Sequence, residues 1–340
     1  LPISAFTFYG DGSFRKSGDI STPAGKLDNT FIETFNGFGT LSWRPSWGKW
    51  CISSGTYVSS YGIPPSPPDL GHPNGVDINL KKGNVKSQFV VEKPIKQMKN
   101  LEIKYDYTYY FHEELSGYSS STSNTVVKSQ DAAFRVQTQH AAIKSNLEDF
   151  WIFKNSTIGL WSEFRNFEAG GRTATINSKE QNLAAYTYHE WNAGPLMFSA
   201  SARLENKIIT PESEKYDLRV GRIRQRKFND FAASLKSELG LTKSLRAGLT
   251  LIRAFRAPGI EELYSDGPHL ASYAYEVGNA DLEQERTFGV ELNTTYEGNR
   301  LNLTTSAYYN RIDGYLFSQN TGERSWRRYD LYRYQMVGLD

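Results

Sequence analysis

The sequence is poor in cysteine and has no long apolar run. Cys51 is the only cysteine among 340 residues, so neither an internal disulfide nor a cysteine-based metal cluster can form. No window approaches the ~18 uninterrupted apolar residues that a transmembrane helix needs. The sequence therefore excludes a helical membrane protein.

The chain also lacks an excess of one charge and the common catalytic motifs. Its 39 basic and 37 acidic residues give a net charge of +2, without the basic excess of a nucleic-acid-binding domain. Phosphate-binding loops, nucleophile elbows and HExxH motifs are absent. Neighbouring carboxylates such as Glu113/Glu114 and Glu261/Glu262 would point to opposite faces of a strand and not converge. We predict a protein that binds no nucleic acid and is not an enzyme.

Aromatic residues, in contrast, are abundant in a hydrophilic chain. Phe, Trp and Tyr make up 14% of the residues, although the mean hydropathy is -0.55. Two sets of side chains alternate over 101–112. The apolar set is Leu101, Ile103, Tyr105, Tyr107, Tyr109 and Phe111, and the polar set is Glu102, Lys104, Asp106, Thr108, Tyr110 and His112. Such alternation is typical of a strand with lipid on one side and water on the other.

Turn signals divide the chain into about fourteen such strands of roughly 10 to 14 residues, longer than the usual ~5–6 of soluble proteins. Short turns and long loops alternate, which places all the long loops at one end of the sheet. Outer-membrane barrels have short periplasmic turns and long extracellular loops. We therefore predict an all-β fold, a transmembrane antiparallel up-and-down β-barrel. In detail, the pattern predicts a loop over 312–323 and a last barrel strand over 326–337.

The most conspicuous loop runs from Arg253 to Arg286. Its segments AFRAPGIEELYSDGPH and YEVGNADLEQER, together with YGIPPSPPDLGHPNGVDINL at Tyr61–Leu80 and YDYTYYFHEEL at Tyr105–Leu115, resemble TonB-dependent outer-membrane receptors. The resembling branch includes receptors for zinc and other metals. Three blocks in order are more specific than one short motif, and the resemblance extends over nearly the whole chain.

This resemblance implies a Gram-negative outer-membrane location and contact with membrane lipid. It also implies a 22-stranded barrel around a plug, so residues 1–340 would be an incomplete barrel domain without the N-terminal plug and the last strands. The energy-coupling TonB complex would engage a short N-terminal segment, the TonB box, outside this chain. The transported ligand would be a metal ion or a metal chelate such as a siderophore, haem or zinc, with no resident cofactor.

Polar and aromatic groups on the long-loop side are the candidate ligand contacts. They are His72, His112, Glu113, His269, Tyr273 and Glu276. Imidazole and carboxylate groups suit a borderline metal such as zinc, and His72 and His269 are the candidate metal ligands. Alternatively, these two histidines serve loop folding beside Pro and Gly residues. Loop tyrosines such as Tyr273 either cap a ligand such as an iron chelate or belong to the aromatic girdles at the membrane interface.

Two other functions remain open at the level of sequence. A passive pore, or a structural barrel component of a larger assembly, would have the same strands without active transport. A soluble binding module is the third possibility. A plug and a coupling segment elsewhere in the gene would favour the transporter, because a fold by itself does not define a function.

Overall fold

The structure is a computed structural model that describes residues 2–3, 5–66, 72–119, 126–171, 175–269, 274–325 and 329–337. Its main feature is an antiparallel sheet of fourteen strands whose spatial order follows the chain order. Numbered along the chain, these strands are β1 (Pro2–Ile3), β2 (Phe6–Ser17), β5 (Ile32–Trp43), β6 (Gly48–Ile63), β7 (Val76–Glu92), β8 (Met98–Ser119), β9 (Val126–Phe150), β10 (Phe153–Gly171), β11 (Ser178–Ala193), β12 (Leu196–Pro211), β15 (Arg226–Gly240), β16 (Leu245–Arg256), β19 (Glu285–Glu297) and β20 (Asn302–Asp313). The predicted antiparallel up-and-down fold is confirmed.

Several strands are longer than the sequence pattern predicts. β8 has 22 residues and β9 has 25, whereas a tilted membrane strand needs only ~9–11. The extra residues form ladders that continue into the Ser/Thr-rich segment after Leu115, which turn signals predict to be a loop over 116–130. This hairpin therefore continues as regular sheet beyond the length that a membrane crossing would need.

The long-loop end carries further secondary structure. Two small hairpins pair β3 (Ile20–Thr22) with β4 (Gly25–Leu27), and β13 (Lys215–Asp217) with β14 (Gly221–Ile223). A four-stranded loop sheet consists of β17 (Asp266–His269), β18 (Ala274–Val277), β22 (Tyr329–Val337) and β21 (Tyr315–Ser325), in that order. The helix α1 (Ile260–Tyr264) has five residues. Within the described ranges, no helix has the length and apolar composition needed to cross a membrane.

Two details of the predicted strand list are wrong. The chain over 312–323 was expected to be a loop, and the segment 326–337 to be a barrel strand. Instead β21 begins at Tyr315, and β22 pairs with β21 and, in parallel, with β18. Alternation alone cannot distinguish a barrel strand from a loop strand, because both have one buried and one exposed face.

The two faces of the large sheet differ as the alternation predicts. On the outer face Leu160, Leu183 and Leu204 are 59%, 59% and 66% exposed, as expected of a surface that would face lipid in a membrane barrel. Aromatic rings gather on it near the short turns, where Trp191 and Phe198 stack with ring centroids 5.3 Å apart. The inner face carries the polar side chains and the residues that contact the loops.

A buried core, which we call the loop core, joins the loops to the inner face of the sheet. From the loops it contains Ile260, Leu263, Tyr264, Val277, Ala280 and Leu282, and from the strands Ala132, Phe167, Ile209 and Phe228. Burying one such aliphatic side chain contributes about 1.5–3 kcal/mol. The buried residues between Ile260 and Leu282 that the structure describes are thus packed on the sheet.

Polar contacts hold the helix α1 in this core. The carboxylate of Glu262 accepts a hydrogen bond from the backbone N–H of Gly259 (2.8 Å) and pairs with Arg256 (2.9 Å). Arg256 also pairs with Glu285 at the start of β19 (2.8 Å). Gly278 passes so close to the helix that a Cβ there would lie 2.8 Å from the carbonyl oxygen of Glu262, so a larger residue would displace the loop.

Replacing Leu263, which is fully buried, with Ala should destabilise this core by about 2–5 kcal/mol. Hydrogen exchange at the amides of Ser265 and Gly278, which are bonded to the carbonyls of Glu261 and Ser265, should accelerate accordingly. Leu218→Ala is the matched control, because Leu218 is 92% exposed and its loss should change little. If Leu263→Ala and Leu218→Ala changed the stability and the hydrogen exchange equally, burial of Leu263 would not stabilise this core.

Candidate functional site

A cavity of about 340 Å³ lies between the inner face of β8–β10 and the loop sheet. We call it the loop cavity. Its volume is within the usual range of small-molecule sites. The strands contribute Tyr110, His112, Glu114, Phe134 and Arg165, and the loops contribute Glu261, His269 and Glu276. It therefore combines aromatic surface with imidazole and carboxylate groups.

Strand alternation places His112 and Glu114 together on the inner face of β8. The Nε2 atom of His112 lies 3.7 Å from Oε1 of Glu114, and its Nδ1 atom lies 3.1 Å from the hydroxyl of Tyr110. Among the described residues, the buried Nε2 atom has no hydrogen-bond partner. Such a buried polar atom is costly unless a ligand or water completes it, so His112 is well suited to ligand contact.

Glu113, predicted together with His112, lies on the opposite face of β8. Its carboxylate accepts a hydrogen bond from Nδ2 of Asn79 on β7 (2.9 Å). Glu114, which the predicted set omits, is buried and lines the loop cavity instead. The period of two in a strand was a sufficient signal to select Glu114 as the companion of His112.

His269 and Glu276 meet across the β17–β18 hairpin. Nδ1 of His269 is 3.0 Å from Oε1 of Glu276, and Oε2 of Glu276 accepts a longer bond from the hydroxyl of Tyr334 (3.5 Å). The hydrogen bond to Glu276 raises the pKa of His269, and the charges of Glu276 and Glu114 act in the same direction against the effect of burial. Burial, together with the charge of Glu276, raises the pKa of Tyr334 to about 12. Tyr273 lies outside the described residues.

His72 occupies a different environment. It is 6% exposed, and its Nδ1 atom lies 2.9 Å from the hydroxyl of Ser116 and 3.8 Å from the carboxylate of Asp131. Its backbone N–H and C=O are both bonded to Ser66 (2.8 and 3.0 Å). These contacts attach the chain at Ser66 and His72 to β8 and β9, which supports the loop-folding interpretation of this histidine.

No group of three or more His, Cys, Asp or Glu side chains is placed to hold a metal ion in the part of the chain that the structure describes. The metal role of His72 and His269 stays a prediction. Of the predicted residues, the structure brings His112, His269 and Glu276 to one cavity, and it places Glu113 and His72 in other surroundings.

Arg165 links the wall of the loop cavity to the loop core. Its guanidinium pairs with Glu180 on β11 (3.1 Å) and with Glu261 on α1 (3.5 Å). Lys207 also pairs with Glu180 (3.2 Å) and donates to the carbonyl of Pro258 (3.3 Å). Sequence alone gave no signal for the Arg165–Glu261 contact, because its partners come from distant segments.

The charged lining of the loop cavity is acidic. It has three carboxylates, those of Glu114, Glu261 and Glu276, and one guanidinium, that of Arg165. With both histidines neutral the formal sum is three negative charges against one positive charge, and with His269 protonated it is three against two. Arg165 is already paired with Glu180 and Glu261. A ligand that carries positive charge, or a coordinated metal, would therefore be favoured over an anion.

The sequence matches the TonB dependent receptor-like, beta-barrel family over residues 7–330. The chain belongs to this family. Its members are transporters rather than enzymes and are located in the outer membrane of Gram-negative bacteria. The fold and location implied by the three sequence blocks are thereby confirmed.

Solved structures of such receptors share the fold. The copper transporter OprC is 14% identical and has a TM-score of 0.71, with 98% of this chain and 52% of OprC covered. The hemophore receptor HasR of Serratia marcescens, in complex with its hemophore HasA and heme, is 12% identical (TM-score 0.72; 99% and 55% covered). The ferric yersiniabactin uptake receptor FyuA of Yersinia pestis is 14% identical (TM-score 0.62; 92% and 51% covered). The chain spans about half the length of these structures.

The His269–Glu276 pair leads to a prediction about pH. A raised pKa means that the pair stabilises the β17–β18 hairpin below the ordinary histidine pKa of ~6.5, and that this contribution is lost as the pH rises through the folded-state pKa. Histidine NMR titration should therefore show His269 titrating above its ordinary value, and Glu276→Gln should lower that pKa. The His269→Gln variant lacks this imidazole, so the NMR signal that is missing from its spectrum belongs to His269. An unchanged His269 pKa in the Glu276→Gln variant would contradict the pairing.

Proposed function

We propose that this chain is the ligand-capturing wall of an uptake receptor for a small metal-containing ligand, a metal ion or a metal chelate. The observation that carries the proposal is the convergence of His112, Glu114, His269 and Glu276 on one cavity beneath the long loops. The loops of this end face the cell exterior in outer-membrane barrels, so the loop cavity would be reached from outside.

The chemistry of the lining supports this class of ligand. Imidazole and carboxylate groups are ligands or hydrogen-bond partners for metal complexes, and the acidic sum of the lining favours positive charge. Tyr110 and Phe134 supply aromatic surface for an organic chelator. The structures that share the fold include a copper transporter, a hemophore receptor with heme and a ferric yersiniabactin receptor.

The proposed uptake needs parts that supply energy and close the pore. In our proposal a plug fills the lumen, and the TonB complex pulls on an N-terminal segment to rearrange the plug after the ligand binds. The wall contributes binding and positioning, and its residues carry out no covalent step. The loop core would keep the loop sheet against the inner face, so that the cavity is formed before the ligand arrives.

The test is ligand binding by the detergent-purified full-length protein, measured by calorimetry with zinc, ferric siderophore chelates and haem. We expect saturable binding of one of them. The double substitution His269→Gln/Glu276→Gln should weaken it about tenfold or more, because each removes a charged or polar contact of about 1.5–3 kcal/mol.

His140→Gln/Glu163→Gln is the matched control. These residues form a similar pair (2.6 Å) on the inner face, outside the loop cavity, and their replacement should leave the affinity within about twofold. His72→Ala/His269→Ala tests the predicted metal role, which requires zinc binding that this variant loses. Absence of binding for all three ligands would refute the metal-containing cargo, and equal loss in the control would refute the loop cavity as its site.

A further inference from the structure

A large apolar groove of about 980 Å³ crosses the outer face of β8–β15. Its rim consists of large side chains, Ile103, Ile143, Leu160, Leu183, Leu204 and Phe231. Small side chains at Ala141, Ser162 and Ala185 form its floor. The strand register places these residues on one face, since Leu160 is opposite Ile143 and Ala185, and Leu204 is opposite Ala185 and Phe231.

The groove rises from the short-turn end of the sheet toward the long loops. At one end Ile103 lies only five residues beyond Met98, where β8 begins. At the other end Asn229 lies eleven residues before Gly240, where β15 ends at a short turn. About 9–11 residues of a tilted strand cross the membrane. Asn229 therefore lies near the membrane surface on the long-loop side, where the hydrocarbon gives way to water.

Polar and cationic groups mark this upper end. Asn206 donates to Oδ1 of Asn229 (2.5 Å) on the lipid-facing surface. Lys227 is two residues beyond Asn229 on the same face, and Lys179 lies two strands away; both are exposed. Within the described residues, neither lysine takes part in an ion pair. Two uncompensated cations therefore stand above an apolar groove.

We propose that the groove binds an anionic acylated lipid of the outer leaflet. An acyl chain lies along the apolar part, and the phosphate headgroup contacts Lys227 and Lys179 beside the two asparagines. Basic side chains at a membrane surface attract anionic headgroups, and depressions between large side chains accept flexible chains. A lipid is the occupant favoured by the position, because this face of the sheet lies in the hydrocarbon region. The site is separate from the loop cavity, which lies on the inner face.

The test places the full-length protein in nanodiscs of equal amounts of dimyristoyl phosphatidylglycerol and dimyristoyl phosphatidylcholine. Native mass spectrometry then counts the lipids retained after release. We expect the wild type to retain phosphatidylglycerol in preference to phosphatidylcholine. Lys179→Glu/Lys227→Glu should lower this retention about tenfold or more.

Lys96→Glu/Lys243→Glu is the matched control, since both lysines are exposed in short turns at the opposite end of the sheet; it should retain wild-type amounts. Ala141→Leu/Ala185→Leu fills the floor with side chains that the lipid-facing surface tolerates, and should reduce retention of both lipids. Equal retention of the two lipids by the wild type, or unchanged retention after the Lys179/Lys227 reversal, would overturn the headgroup assignment. Wild-type retention in the Ala141/Ala185 variant would overturn the groove assignment.

Discussion

Hydrocarbon offers no hydrogen-bond partners to the polypeptide backbone, so a chain that crosses it with strands must pair every N–H and C=O with a neighbouring strand. Within the fourteen-stranded sheet, the strands from β5 to β19 have a hydrogen-bonded antiparallel neighbour on each side, which satisfies this requirement for the interior of the sheet. A paired strand also directs successive side chains to opposite faces. The apolar outer face and the polar inner face of this protein are both consequences of that geometry.

The loop core depends on the inner face of the sheet. Phe167, Ile209 and Phe228 project from strands at the level where the loops return, and the apolar side chains of α1 and β18 pack against them. Buried hydrogen bonds also fix the path of the loops across this packed surface. Arg226, for example, is 7% exposed and donates to the carbonyl of Leu282 (2.8 Å), which sets the path of the chain between β18 and β19. The loop cavity is the space left between this core and β8–β10.

The two sites inferred for this protein use the two faces of the same strands. On β8, Ile103 contributes to the lipid-facing groove, whereas His112 and Glu114 contribute to the loop cavity. The proposed lipid site and the proposed cargo site therefore use different side chains of the same strands. Replacements on one face need not disturb the other, provided that the ladder between the strands remains intact.

The alternation of residues was sufficient to predict the all-β fold, the sorting of short turns and long loops, and the inward direction of His112. Sequence also identified 253–286 as the most conspicuous loop between two strands. Tertiary structure alone decided that β21 and β22 join β18 in a loop sheet, that His72 bonds with Ser116, and that Arg165 reaches Glu261. The physical reason is that alternation reports the local environment of a strand face, whereas these contacts join segments far apart in the chain, and only packing specifies which segments meet.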